Sequence, residues 1–193
     1  MVLSAGTNKI KTAVFISGKG SNLRSLIKFS KLQESPISID LIITNNKLAE
    51  GLKYGVSFKI QKKVIQFINK DIAEKKILNV IKKNKIELIC LAGFMKIISK
   101  NFIKNFKGKI LNIHPSLLPK YKGLNTHQRA IKNKDRYSGC TVHFVNSTLD
   151  SGEIILQKKV KIFKKDTPDS LARKILAEEH KLYPKAILKI FSL

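Results

Sequence analysis

Asn112 and His114 stand two residues apart at the end of the apolar run Lys109 to His114. Alternate side chains of a strand project to one face, so an amide donor and an imidazole share a side of the backbone there. Together they can hold a developing oxyanion and move a proton. A pair of hydrogen-bonded structural polar groups would look the same, and the spacing leaves both readings open. The chain continues as Pro115-Ser116-Leu117-Leu118-Pro119, a restricted loop in which Leu118-Pro119 is a candidate cis bond. Asp150, in Leu149-Asp150-Ser151-Gly152-Glu153, sits in a polar turn where Asp commonly serves local turn chemistry. A catalytic role requires that turn to fold back onto His114.

A second stretch with chemical content is Ser17-Gly18-Lys19-Gly20-Ser21-Asn22, between an apolar run and a helix expected from about Leu23. Gly18 and Gly20 allow a tight turn, Ser21 or Asn22 can cap, and free amides at a helix start suit a phosphate. The spacing is neither the dinucleotide fingerprint nor a Walker loop. It fits one small phosphate, or a strand-to-helix turn with no ligand.

These residues are carried by recurring apolar runs at Thr12 to Ser17, Ile39 to Thr44, Glu87 to Ala92 and Lys109 to His114, each followed by a turn and a helix-compatible segment. That alternation predicts a parallel sheet covered by helices. Helices are expected over Asp71 to Lys83, with Ile72 and Leu78 on the apolar side, around Thr126 to Lys132, and over the final segment. In the last, Asp166 or Thr167 can cap, Pro168 suits the first turn, and Pro184 should kink or interrupt it. Strands at Thr141 to Val145 and Glu153 to Phe163 can pair antiparallel. The expected fold is one α/β domain over residues 1–193, Rossmann-like in its first half, with a mixed sheet completed by late antiparallel strands. Function is expected at the carboxyl ends of the parallel strands.

Composition narrows the class. With 43% hydrophobic and 26% charged residues the chain can build a packed core. Its formal charge of +25 invites a nucleic-acid reading. However, Arg24, Arg129, Arg136 and Arg173 are its only arginines, and the remaining basic residues are lysines spread along the whole chain. Bidentate recognition of phosphates and bases favours arginine, so solvated faces account better for the charge. Cys90 and Cys140 form no disulfide framework or zinc spacing, and no apolar stretch reaches membrane-spanning length. A cytoplasmic enzyme without nucleic-acid or membrane partners is expected.

Five motifs then carry a resemblance. Ser17 to Asn22, Leu91-Ala92-Gly93-Phe94-Met95-Lys96-Ile97-Ile98, Asn112 to Tyr121, Thr141-Val142-His143-Phe144-Val145 and Leu149 to Gly152 resemble the ordered motif series of phosphoribosylglycinamide formyltransferases. The resemblance implies transfer of a formyl group from 10-formyltetrahydrofolate to the amine of glycinamide ribonucleotide in purine synthesis, without metal. By position it casts Asn112, His114 and Asp150 as the catalytic trio. Gly20, Ser21 and Asn22 match the ribonucleotide phosphate loop, and Glu179 matches a glutamate that holds the same substrate. Met95, Lys96, Ile97 and Ile98, with Asn146, Ser147, Thr148, Leu149, Asp150 and Asn112, match the folate-binding walls. Lys70 falls where a substrate-contacting arginine is usual and is assigned to the folate side. His127, His143 and His180 stay outside the catalytic set, His143 as a structural or supporting residue.

In the mechanism this implies, the amine attacks the formyl carbon while Asn112 and a protonated His114 donate to the oxyanion. Asp150 favours the charged imidazole and assists proton transfer. Lys96 and Lys70 replace arginines of the family, keeping charge but losing the planar fork. The segments before Lys11 and up to Leu193 carry no motif. A methionyl-tRNA formyltransferase or a formyltetrahydrofolate hydrolase would share the core and add a domain, for which 193 residues leave no expected room. An inactive folate- or nucleotide-binding protein would not be expected to keep Asn112, His114 and Asp150 together. A nucleic-acid-binding module is the alternative from composition alone.

Overall fold

Seven strands form one sheet in the order β3-β2-β1-β4-β5-β6-β7 in the computed structural model, which describes residues 9–191. The expected domain over residues 1–193 includes residues 1–8 and 192–193, which lie outside the described residues, as does most of the segment before Lys11. The strands are β1 (Ile10–Ile16), β2 (Ile37–Thr44), β3 (Gln61–Val64), β4 (Leu88–Leu91), β5 (Lys109–His114), β6 (Tyr137–Phe144) and β7 (Ile154–Lys161). Strands β1 to β5 are parallel to one another, and β6 and β7 add antiparallel, as expected.

The helices are α1 (Ser21–Ser30), α2 (Leu52–Ser57), α3 (Lys70–Lys83), α4 (Lys100–Asn105), α5 (Thr126–Lys132) and α6 (Pro168–Phe191). Both faces of the sheet are covered, which is why β4 reads as the unbroken apolar run Leu88-Ile89-Cys90-Leu91. Alternate residues of β1 separate into the two cores. Val14 and Ile16 join Leu26, Leu111 and Tyr183 on one side, while Ala13 and Phe15 join Ile77 and Phe102 on the other. The two edge strands carry exposed lysines, Lys62 and Lys63 on β3 and Lys158, Lys159 and Lys161 on β7, which discourage pairing with another chain.

Three local expectations change. Pro184 does not interrupt α6, which runs from Pro168 through it to Phe191. Proline has no N–H for the carbonyl four residues back. That carbonyl, on His180, instead accepts from Ser25 Oγ of α1 at 2.8 Å, so tertiary contact replaces the missing helical bond. Second, α3 buries Ala73, Glu74, Ile77 and Ile81, while Ile72 is 54% exposed. The buried Glu74 carboxylate accepts from the backbone N–H and hydroxyl of Ser99. Third, neither Ser21 nor Asn22 caps α1. The N-cap is Gly20, at φ 71°, and among the described residues no side chain supplies a capping hydrogen bond there. At α6 the reciprocal bonds Ser170 N–H to Thr167 Oγ1 and Thr167 N–H to Ser170 Oγ supply the expected cap. The Leu118-Pro119 bond is cis, as its setting suggests.

Candidate active site

The strand order reverses direction about β1, with β2 on one side and β4 on the other, and the loops leaving β1, β4 and β5 rim a cavity of about 880 Å³. This is where an open α/β sheet gathers ligands. Its walls include the Ser17–Asn22 loop, Leu91–Ile98, Asn112–Pro115, Gly123–Gln128, Asn146–Asp150 and Glu179.

His114 ends β5 and is only 5% exposed. Its Nδ1 lies 3.3 Å from Asp150 Oδ2, and its Nε2 lies 2.9 Å from the Tyr121 carbonyl oxygen. A carboxylate and a carbonyl can only accept, so the doubly protonated ring satisfies both contacts. Asp150 comes from the turn between β6 and β7, in the left-handed region at φ 45° that Asp tolerates better than most side chains. The backbone N–H of Gly123 donates to Asp150 Oδ2 at 2.8 Å and ties the proline loop to this turn.

Asn112 stands directly across from His143 in the β5–β6 register. Its Nδ2 is 3.1 Å from His143 Nε2 and 3.5 Å from Asp150 Oδ1. Burial pushes the His143 imidazole below its ordinary pKa, and its Nδ1 lies 2.8 Å from the Phe144 carbonyl oxygen. The neutral ring therefore carries its proton on Nδ1 and accepts at Nε2. One Asn112 N–H is thereby fixed. The other makes the long contact to Asp150 Oδ1, at the limit of a hydrogen bond, and is the donor left for an oxygen in the cavity.

In the loop after β1, a Cβ on Gly20 would press to 2.8 Å from Gly51 Cα, and its left-handed backbone also favours glycine. Ser17 holds this loop to the β4 side, its Oγ accepting from the Met95 N–H at 2.8 Å and its N–H donating to the Gly93 carbonyl at 3.1 Å. Asn22 Nδ2 donates to Glu179 Oε2 at 2.6 Å. Burial raises the Glu179 carboxyl pKa, opposed by that bond. Asn22 Oδ1 is buried and has no hydrogen-bond partner among the described residues, an acceptor at the cavity wall.

The structure thus brings Asn112, His114 and Asp150 into contact range, and lines the same cavity with Gly20, Ser21, Asn22, Glu179, Met95, Lys96, Ile97, Ile98, Asn146, Ser147, Thr148 and Leu149. Met95, Ile97 and Leu149 are 64%, 62% and 49% exposed, apolar surface facing a site and not a core. Lys70 is not brought there: it is an exposed residue at the first position of α3, outside the cavity lining. Sequence reasoning left His143 as a supporting residue and gave Tyr121 no role. Cross-strand pairing with Asn112 is the signal for the first; the second acts through a backbone atom.

An amide, an imidazole and a carboxylate converging at one cavity wall are a set that can stabilise an oxyanion and move a proton, as acyl transfer requires. The family described as formyl transferase matches residues 10–187, and the chain belongs to that family. A phosphoribosylglycinamide formyltransferase of Haemophilus influenzae is 42% identical over 180 residues, covering 92% of this chain and 85% of that protein. The trifunctional purine biosynthetic protein adenosine-3 of Gallus gallus is 41% identical over 189 residues. There the match takes 96% of this chain but only 19% of the longer protein. The phosphoribosylglycinamide formyltransferase structure from Brucella melitensis superposes with a TM-score of 0.89 at 39% identity, covering 95% of this chain and 96% of that one.

Proposed function

We propose that this chain transfers the formyl group of 10-formyltetrahydrofolate to the amine of glycinamide ribonucleotide, a step of purine biosynthesis. The observation that carries the reading is the contact of His114 with Asp150 beside Asn112, in a cavity that also contains a phosphate-suited loop and an apolar wall. The similar bacterial proteins are named phosphoribosylglycinamide formyltransferases, and a phosphoribosyl compound suits a phosphate-binding loop.

The ribonucleotide phosphate lies on the loop Gly20 to Asn22, where the uncapped first-turn amides of α1 suit an anion. Glu179 and Asn22 hold the remainder of that substrate. The folate lies against Met95, Lys96, Ile97 and Ile98 and the segment Asn146 to Asp150, with Lys70 left out of the set. The amine lone pair attacks the formyl carbon, and the carbonyl electrons move to oxygen. The free N–H of Asn112 and the charged His114 stabilise that oxyanion. The attacking nitrogen loses its proton to Asp150 directly or through water, the carbonyl re-forms, and the bond to the folate nitrogen breaks as that nitrogen takes up a proton. The products are formylglycinamide ribonucleotide and tetrahydrofolate. No covalent enzyme intermediate is required, and the residues supply the proton chemistry without a metal.

The reading places the enzyme in the cytoplasm, where free thiols such as the buried Cys90 and Cys140 persist. Incubation of purified protein with both substrates, followed by mass spectrometry, is expected to give formylglycinamide ribonucleotide. Formylation of methionyl-tRNA in its place would assign the chain to the other branch of formyl transfer.

A further inference from the structure

We propose that Tyr121 is the positioning residue for His114, its backbone carbonyl selecting Nδ1 as the ring nitrogen turned to Asp150 and the cavity. This rests on the role of His114 in formyl transfer described above. An imidazole can present either nitrogen to a reacting group, and what the other nitrogen bonds decides which. Here the Tyr121 carbonyl oxygen, 2.9 Å from Nε2, takes that nitrogen out of play. Nδ1 is left at 3.3 Å from Asp150 Oδ2, longer than a tight charge-assisted bond and therefore open to sharing its proton with substrate.

The carbonyl can point that way because Tyr121 sits in the left-handed region at φ 57°, a conformation that a residue with a bulky side chain seldom adopts. The side chain is clamped from several directions. Its hydroxyl donates to Asp135 Oδ2 at 2.8 Å and accepts from Asn133 Nδ2 at 2.8 Å. The Arg129 guanidinium lies 4.9 Å from the ring centroid, and the same group donates to the Lys122 carbonyl at 2.7 Å. Lys120 Nζ donates to Asp135 Oδ1 at 2.7 Å and holds that carboxylate in place. The hydroxyl contacts come from the segment after α5, so the end of that helix is coupled to the catalytic ring through one peptide group.

The test compares Tyr121→Phe, which removes only the hydroxyl, with Asp135→Ala and the conservative Asp135→Asn, which keeps an acceptor for the tyrosine. Formyl transfer is followed at saturating and limiting concentrations of both substrates, and the His114 ring protons and nitrogens are followed by NMR. Tyr121→Phe and Asp135→Ala are expected to lower kcat roughly ten- to hundredfold. KM for each substrate should stay within about twofold, and the His114 Nε2 proton should exchange faster with water. Asp135→Asn should restore most of the rate. An unchanged kcat in Tyr121→Phe with active wild type, or a His114 Nε2 proton of undiminished protection, overturns the proposal. Wild type inert with both substrates overturns the proposed function instead, and the NMR comparison still decides the role of Tyr121.

Discussion

His114 Nδ1 and Asp150 Oδ2 lie 3.3 Å apart, although β6 and the whole proline loop separate the two residues in sequence. Both side chains are almost fully enclosed, at 7% and 8% exposure, so little solvent screens the pair. Asp150→Asn keeps the shape and removes the carboxylate charge 3.3 Å from the ring nitrogen. It is expected to lower kcat by about 10² to 10⁴ while leaving ribonucleotide binding intact, as steady-state rates and calorimetric titration would report.

Glu179 couples stability to pH in the unliganded protein. Burial raises its folded-state pKa, so its charged form is penalised in the folded state. Its favourable contribution is full below the unfolded pKa and is lost as pH rises through the raised folded value. Glu179→Gln is therefore expected to melt at a higher temperature than wild type at neutral pH, with the gap closing toward acid. The same variant should show a raised KM for glycinamide ribonucleotide. Calorimetric melts across pH, paired with kinetics at neutral pH, check both halves.

Gly152 sits where a Cβ would collide with the Phe144 carbonyl oxygen, beside the bond from the Phe144 N–H to the Glu153 carbonyl. Gly152→Ala must move the turn that carries Asp150. A loss of about 1 to 3 kcal/mol in denaturant unfolding is expected, with a fall in kcat larger than that stability loss would explain at assay temperature.

Cys90 and Cys140 are fully buried, and desolvation pushes both thiol pKa values up to about 12. Thiolate, not thiol, reacts with disulfide reagents. Native protein at pH 8 should therefore consume no Ellman reagent on the time scale of minutes, and both thiols should titrate once denaturant is added.

Much of this arrangement is legible in the residues themselves. Strand alternation puts Asn112 and His114 on one face, and the apolar runs mark β1, β2, β4 and β5 because a doubly covered parallel strand has no polar side to hide. What escapes is what depends on register or on distant partners. The approach of Asp150 to His114 needs the β5–β6 pairing, and the pairing of Asn112 with His143 needs its exact offset. All four residues of the short β3 are exposed, and the strand so lacks the apolar signature of a buried one. Pro184 looks like a break until Ser25, far away in sequence, supplies the donor that its ring lacks. The Tyr121 contact is made by a carbonyl oxygen, which every residue type possesses, so no side-chain pattern marks it.

A His114 that stabilises charge in formyl transfer must slow that step itself when it is removed. Single-turnover transfer from 10-formyltetrahydrofolate to glycinamide ribonucleotide, compared between wild type and His114→Ala at matched saturation, tests it most directly. A loss of about 10² to 10⁴ in the transfer rate is expected, with the melting temperature little changed and both substrates still bound. Transfer by His114→Ala at the wild-type rate would contradict it.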